Sequence, residues 1–185
     1  MRQKPQSNED LRRAFPARLE DDALVAISGL PENPYWFSCF AALVDGESVS
    51  IPYRVYHNVS SIRSEKLNGL QKELIDCILT RHHDGFIRQE RLGRIVGSRN
   101  AWIPAFVVHL LGEYVIEIIQ VIHDNLGQLD APLYAQFLHS NPDFLALTEQ
   151  RVYSYWDCYY RSQRREEYVG FRVLRFFREL VKNTA

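Results

Sequence analysis

The sequence predicts a mainly α-helical protein: a single-domain bundle of about six helices with a short N-terminal β-hairpin or extended arm. Two observations predict this class. Apolar residues recur at helical spacing through most of the chain after residue 61, and only residues 48–56 alternate with the period of a strand. The length of 185 residues and the hydrophobic content of 46% suit one domain with a sizeable core.

The charge is small overall but unevenly placed. The net charge is −1, so composition gives no global reason to expect nucleic acid or an anionic membrane as a partner. Residues 161–185 hold seven Arg or Lys and three Glu, a charge of +4, which leaves −5 for residues 1–160. We therefore expect the basic C-terminal stretch to have a role of its own.

Cysteine use and the N-terminal sequence predict a cytoplasmic protein. The three cysteines are far apart in sequence and odd in number, which argues against a disulfide framework or a structural zinc site. Residues 1–10 are polar and lack the apolar core of a secretory signal.

The N-terminal third is expected to be a small mixed element. Residues 1–20 are polar and without periodicity, which predicts a disordered or loosely docked arm before a helical domain at 21–185. Residues 22–30 suit a short helix. Residues 35–44 suit a strand or a helix, and Asp45-Gly46 is a turn signal. The strand at 48–56 belongs at an edge because it contains Pro52, so either a hairpin with 37–44 or an extended arm fits.

Helical patterns dominate residues 61–185. We expect a helix over 67–81 with Ser64 as a possible N-cap, and a second over 86–96 that ends at Gly97. A long helix over 102–126, the longest apolar run, is expected at the centre of the fold, with Pro104 in its first turn. Residues 131–139 form the next helix, and residues 142–162 and 166–182 form one long helix or two consecutive ones.

The central helix carries a narrow polar stripe. At about 100° per residue its polar side chains lie within roughly 80° of one another; they are His109, Glu113, Glu117, Gln120 and Asp124. The stripe faces either solvent or a ligand cleft. A metal site is disfavoured because no Glu-x-x-His motif occurs. Acidic residues near the middle of the run also argue against a membrane span.

A second candidate site is the turn that contains His82, His83 and Asp84. Asp84 can cap the next helix, while the histidines and Arg88 suit the C-terminal end of the preceding one. The alternative is a polar recognition loop for a phosphate, a carboxylate or a protein. Adjacent histidines point in different directions, so metal binding by this pair is not expected.

Residues 67–96 also resemble a helix-turn-helix, two helices joined by a short Gly-containing turn with several arginines. A reader helix must present polar side chains to the bases, whereas the segment that follows, 102–108, is apolar. DNA binding is therefore the third functional alternative.

The C-terminal segment combines aromatic residues with arginines. Tyrosines and Trp156 crowd residues 153–160, and the helix after them is amphipathic, with Arg165, Arg172 and Arg175 on its outer side. This pattern is typical of a docked helix with a solvated face. It equally suits a surface for a protein partner, RNA or a membrane.

Three segments resemble an uncharacterised family of bacterial proteins: Ile51-Pro-Tyr-Arg-Val-Tyr56, Thr80-Arg-His-His-Asp-Gly-Phe-Ile-Arg-Gln89 and Gly112-Glu-Tyr-Val-Ile-Glu-Ile118. The resemblance covers about residues 36–126 and implies no activity and no functional residues. The predicted helix pair at 86–96 and 102–125 is also weakly similar to a unit of a HEAT-type solenoid.

The sequence favours a non-enzymatic protein-binding or scaffolding domain, including one that binds a second copy of itself. No nucleophile motif, phosphate loop or Cys-x-x-Cys occurs, so no catalytic residue, metal or cofactor is assigned. The alternatives are a small-ligand binder or enzyme with a His/Glu/Arg cleft, and a nucleic-acid-binding protein. The candidate binding residues are His82, His83, Arg88, His109, Glu113, Glu117, Arg165, Arg172 and Arg175.

Overall fold

The computed structural model describes residues 7–32, 35 and 37–183 and confirms the predicted class. Over these residues the chain forms eight α-helices and one two-stranded antiparallel sheet near the N-terminus. It divides into two compact units, Met1–Arg91 and Leu92–Ala185. Each unit is described below on its own.

The first unit contains α1 (Glu20–Ser28), β1 (Cys39–Val44), β2 (Glu47–Pro52), α2 (Gly69–Leu79) and the first part of α3 (Gly85–Ile95). Residues 1–6 of the expected N-terminal arm lie outside the described residues. The rest of that arm forms two 3₁₀ helices, Asn8–Ala14 and Ala17–Leu19. Leu11, Ala14 and Phe15 are buried, and the first of these helices packs on α1 and β2.

The hairpin alternative for residues 37–56 is the one that forms. β1 pairs with β2 in a register that sets Ala42 opposite Val49, and both are buried. Asp45 and Gly46 adopt positive φ values of 52° and 80°, the conformation that a tight hairpin turn requires. The second strand ends at Pro52, earlier than the predicted 56, because the chain turns to another partner: the N–H of Tyr53 still donates to the carbonyl oxygen of Ser38, but that of Val55 donates to the carbonyl oxygen of Arg81.

The cap of α2 differs from the predicted one. Asn68, not Ser64, is the N-cap: its side chain accepts a hydrogen bond from the N–H of Gln71, and the Gln71 side chain accepts one from the N–H of Asn68. This reciprocal pair satisfies two N–H groups that a helix leaves without partners.

The second unit is a bundle of α4 (Ile103–Leu111), α5 (Ile116–Asp124), α6 (Ala131–Ser140), α7 (Pro142–Tyr159) and α8 (Val169–Asn183). Every residue of α4 is buried, and α4 contacts the other four helices. α8 turns an apolar side inward, where Phe177 stacks on Tyr134 with ring centroids 5.8 Å apart. The central position expected for this apolar segment is therefore observed for α4.

The predicted single helix over 102–126 is wrong, because the chain breaks at residues 112–115. Gly112 ends α4 and Val115 has extended backbone angles. A side chain at position 112 would meet Arg151, whose Cδ lies 3.1 Å from an ideal Cβ there. This break, together with the separation of α7 from α8, raises the number of helices above the expected six.

No helix within residues 7–32, 35 and 37–183 has the length and apolar character that crossing a membrane requires.

We expect the burial of α4 to dominate the stability of the second unit. Leu110→Ala should lower the free energy of unfolding by about 2–5 kcal/mol, because Leu110 is fully buried and its loss leaves a cavity. Urea unfolding followed by circular dichroism measures the change.

The matched control is Leu147→Ala on α7, where the side chain is 44% exposed. This variant should stay within about 0.5 kcal/mol of the wild type. Equal losses in the two variants would contradict the central role of α4.

Candidate functional site

The predicted His82 turn is built around a histidine with both ring nitrogens engaged. His82 Nε2 lies 2.9 Å from the carbonyl oxygen of His57, to which it donates, and His82 Nδ1 accepts a hydrogen bond from the N–H of Asp84 at 3.1 Å. Burial lowers the pKa of His82, although its bond to the His57 carbonyl opposes that shift. Only the neutral ring satisfies both bonds, so this side chain is held as a structural group.

His57 is a second buried histidine in the same unit. Its Nδ1 lies 2.8 Å from the carbonyl oxygen of Pro31 and donates to it. Burial lowers the pKa of His57 as well, and within the described residues its Nε2 has no hydrogen-bond partner. A proton on that nitrogen would place a charge in the interior, which is costly.

Two buried arginines donate hydrogen bonds to backbone carbonyl oxygens, Arg88 within this turn and Arg81 in the chain that leaves the hairpin. Arg88 Nη1 donates to the carbonyl oxygens of His82 and His83, both at 2.9 Å. Arg81 donates to the carbonyl oxygens of Pro52 and Tyr53 at 3.2 and 3.0 Å. Because both guanidinium groups lie inside the fold, neither is displayed to a partner.

The remaining residues of the turn are more exposed. Asp84 caps α3, as expected, by accepting a hydrogen bond from the N–H of Phe86 at 2.8 Å. His83 is exposed, and its ring lies 5.0 Å from that of Tyr56. The turn therefore offers one exposed imidazole beside an aromatic ring.

The predicted polar stripe of residues 109–124 is not continuous. His109 lies buried on α4, with its Nε2 3.5 Å from Nη1 of Arg151, and Glu113 is buried in the break. Glu117 is exposed on α5, where Gln120 and Asp124 hydrogen-bond to each other. The break at 112–115 separates the two halves, so these side chains do not form one seam.

The arginines of the expected helix-turn-helix are partly internal. Arg88 is buried, and Arg91 forms a 2.8 Å ion pair with Asp76 in which both side chains are largely covered. In the part of the chain that the structure describes, no three His, Cys, Asp or Glu side chains are placed to hold a metal ion. These placements give no support to a DNA-reading helix or a metal centre.

An open groove of about 310 Å³ lies in the first unit and includes none of the predicted site residues. Its charges are matched within the unit. Arg12 pairs with Glu20 at 2.7 Å, and Glu47 accepts a 2.7 Å hydrogen bond from the N–H of Ala17. Arg13, which also lines the groove, lies 3.6 Å from Asp10. Each charged side chain of the groove therefore has a partner within the unit.

The second unit displays a connected set of aromatic rings. Tyr114 is 50% exposed, Tyr159 is 64% exposed, and their centroids lie 6.1 Å apart. Ring contacts continue through Tyr160, Tyr168 and Phe171 to the rings of Tyr153 and Trp156. This path passes through Tyr168, which is fully buried, so the Tyr114–Tyr159 pair and the rings of Tyr153 and Trp156 are linked through the interior of the unit. We call the accessible side chains at the two ends of this link, together with two nearby arginines, the aromatic–arginine surface: Tyr114, Tyr153, Tyr155, Trp156, Tyr159, Arg165 and Arg172.

Contacts of Tyr160 and Tyr168 hold parts of this surface in place. The hydroxyl of Tyr160 donates to the carbonyl oxygen of Tyr114 at 2.8 Å, which ties the break at 112–115 to the end of α7. Tyr168 is fully buried, and burial raises its pKa. Gly170 lets the Tyr168 ring pack against the first turn of α8, since a Cβ at position 170 would lie 2.5 Å from Tyr168 Cε1.

Arg165, Arg172 and Arg175 are exposed, as the amphipathic pattern predicts. The guanidinium carbon of Arg165 lies 4.8 Å from the ring centroid of Trp156 and 5.6 Å from that of Tyr153. Arg172 Nε donates to the carbonyl oxygen of Glu166 at 3.2 Å. The structure therefore places two of these arginines in defined positions at the aromatic rings and the loop before α8.

The sequence does not predict that Tyr114 is exposed, because in an unbroken, buried central helix Tyr114 would be a core side chain. It also does not predict that Arg151 packs against Gly112. The available signal was Gly112, a weak helix former at the point where the run breaks.

Comparisons of this chain with protein-family models, with curated proteins and with solved structures find no match. The function proposed below therefore rests on the geometry of the chain's own residues.

The buried histidines predict a loss of stability in acid. In the folded protein the pKa values of His57 and His82 are lower than the value of about 6.5 that each has in the unfolded chain. At pH values between the folded and unfolded pKa, the unfolded state therefore binds more protons than the folded state. The contribution of these histidines to the free energy of unfolding should be complete above about pH 6.5. Below that pH the free energy of unfolding should fall, by at most about 1.4 kcal/mol per pH unit for each histidine. Urea unfolding between about pH 8 and pH 5 measures this slope.

His57→Gln combined with His82→Gln should be less stable at neutral pH but show a flatter profile in acid. His139→Gln removes an exposed imidazole and should keep the steep profile. A wild-type stability that does not change over this range would contradict the structural role of His57 and His82.

Proposed function

We propose that this chain is a non-enzymatic protein-binding domain and that its partner binds the aromatic–arginine surface. The observation that carries the proposal is the exposed pair Tyr114 and Tyr159, held side by side on a folded bundle. Tyr, Trp and Arg are the residues that contribute most to binding energy at protein interfaces. Clustered exposed rings on a soluble fold are typical of interaction sites.

The anchoring of the surface supports the same proposal. Tyr160 donates a hydrogen bond to the backbone at Tyr114, and the guanidinium carbon of Arg165 lies 4.8 Å from the ring centroid of Trp156. Side chains that are already ordered lose little conformational entropy when a partner binds. A surface made in this way is suited to recognition rather than to catalysis, which needs a nucleophile, an acid or a base at a reacting centre.

A second copy of the chain is a weaker candidate partner for this surface. Residues 161–183 carry seven Arg or Lys and three Glu, so two copies that face each other here bring together two positively charged regions. Like charges across an interface are unfavourable. The proposal therefore assigns the surface to a different protein.

A peptide-display selection tests the proposal. The wild-type chain and Tyr114→Ala combined with Tyr159→Ala are panned in parallel against a random peptide library. Sequences with a shared pattern should be enriched on the wild type, and their affinity should fall about tenfold or more on the variant, because it loses the exposed rings.

The matched control is Tyr35→Ala combined with Phe86→Ala, which removes two rings of the first unit that are 62% and 83% exposed. This control should retain the wild-type affinities. Equal enrichment on all three proteins would contradict the proposal, as would the absence of any enriched pattern. Light scattering that shows twice the mass of one chain for the wild type and a single mass for the tyrosine variant would assign the surface to self-association.

A further inference from the structure

We infer that the partner segment is acidic, and that Arg165 and Arg172 bind its carboxylates. This inference rests on the proposed function, since it names the partner chemistry of the same surface. It follows from which arginines are already paired, how the others are held, and which aromatic faces are left open.

Three arginines near the surface are neutralised within the fold. Arg161 pairs with Asp157 at 2.6 Å, Arg164 with Glu167 at 2.5 Å and Arg178 with Glu149 at 2.7 Å; the first two pairs are exposed. Their charges are therefore already matched by carboxylates of the same chain.

Arg165, Arg172 and Arg175 differ from these. Across residues 7–32, 35 and 37–183 none of the three forms an ion pair, although all three are exposed. The carboxylates of residues 161–183 that form no ion pair are those of Glu166 and Glu179, two against three guanidinium groups and Lys182. The surface thus has an unmatched positive charge, and charge complementarity favours a negatively charged partner.

The positions of Arg165 and Arg172 suit carboxylate binding. The guanidinium carbon of Arg165 lies 4.8 Å from the ring centroid of Trp156, whose own Nε1–H donates to the carbonyl oxygen of Gln163 at 3.1 Å. Within the described residues the N–H groups of Arg165 make no hydrogen bond, so they are left for the carboxylate of a partner. Arg172 uses Nε on the Glu166 carbonyl and has its terminal nitrogens left for a second acceptor. A fixed guanidinium edge binds a carboxylate through two parallel hydrogen bonds.

The same contacts favour an acidic polypeptide over single-stranded nucleic acid. Non-specific binding of single strands stacks bases on aromatic faces. Here Arg165 packs over both Tyr153 and Trp156, and Phe171 contacts both rings. A base would have to displace Arg165. The open rings, Tyr114 and Tyr159, are tilted by 42° to each other, so they do not offer parallel faces to successive bases. The side chains of a peptide can contact these two rings without such alignment, with carboxylates at the guanidinium groups.

Fluorescence anisotropy with three defined probes tests the inference. The probes are a short peptide of alternating Glu and Leu or Phe, the same peptide with Lys in place of Glu, and a single-stranded oligouridylate of matched negative charge. We expect the acidic peptide to bind, with an affinity that falls as salt rises, and to bind at least about tenfold more tightly than either other probe.

The variants separate specific contacts from net charge. Arg165→Gln combined with Arg172→Gln should weaken binding of the acidic peptide about tenfold or more, whereas Arg161→Gln combined with Arg164→Gln removes the same net charge from the same region and should weaken it less than about threefold. Circular dichroism of both double variants checks that they are folded. Arg165→Lys keeps the charge but not the planar edge, and should give an intermediate loss.

Four results would overturn the inference: no binding of the acidic peptide, equal losses in the two double variants, tighter binding of the oligouridylate, or tighter binding of the Lys peptide. Failure of the inference is distinguishable from failure of the proposed function. If the display selection yields tyrosine-dependent peptides that are not acidic and do not respond to Arg165 or Arg172, the surface binds protein but the partner chemistry assigned here is wrong.

Discussion

The complete burial of α4 is the constraint on which the second unit depends. A helix that is apolar on all sides except at His109 has to be covered around its circumference, and α5, α6, α7 and α8 all pack on it. The break at residues 112–115 lets the chain start a new helix, α5, that packs against α4. Tyr114 lies in this break and is exposed beside Tyr159, so the exposed ring pair is a by-product of how the core is enclosed.

Much of the fold can be predicted because short-range sequence patterns specify its helices and its hairpin. Period-two alternation and Asp45-Gly46 specify the hairpin, and helical spacing with Pro at the first turns specifies α4, α6 and α7. The break at residues 112–115 was not predictable in this way, because the apolar run continues on both sides of Gly112. The side chain of Arg151 packs against Gly112 at the break, and this residue is remote in sequence and invisible to local pattern.

The candidate site residues are also predictable only in part from the sequence. The exposure of Arg165, Arg172 and Arg175 follows from amphipathic spacing and is visible in the sequence. The burial of Arg81 and Arg88 is not, because each is held by carbonyl oxygens of the strand exit and the turn, whose positions depend on tertiary structure. Arginine alone therefore indicates nothing about accessibility; its hydrogen-bond partners decide whether it stabilises the fold or remains for a ligand.

The hydrogen bond from Tyr160 to the carbonyl of Tyr114 joins residues 46 positions apart in the chain. A contact of that sequence separation carries a large loop-closure entropy and forms only once the helices between its ends have folded. The ring pair is consequently absent from nascent or partly unfolded chains, even though the same tyrosines are exposed there. A partner that recognises the arrangement of the rings, rather than their mere presence, distinguishes the mature protein from its folding intermediates.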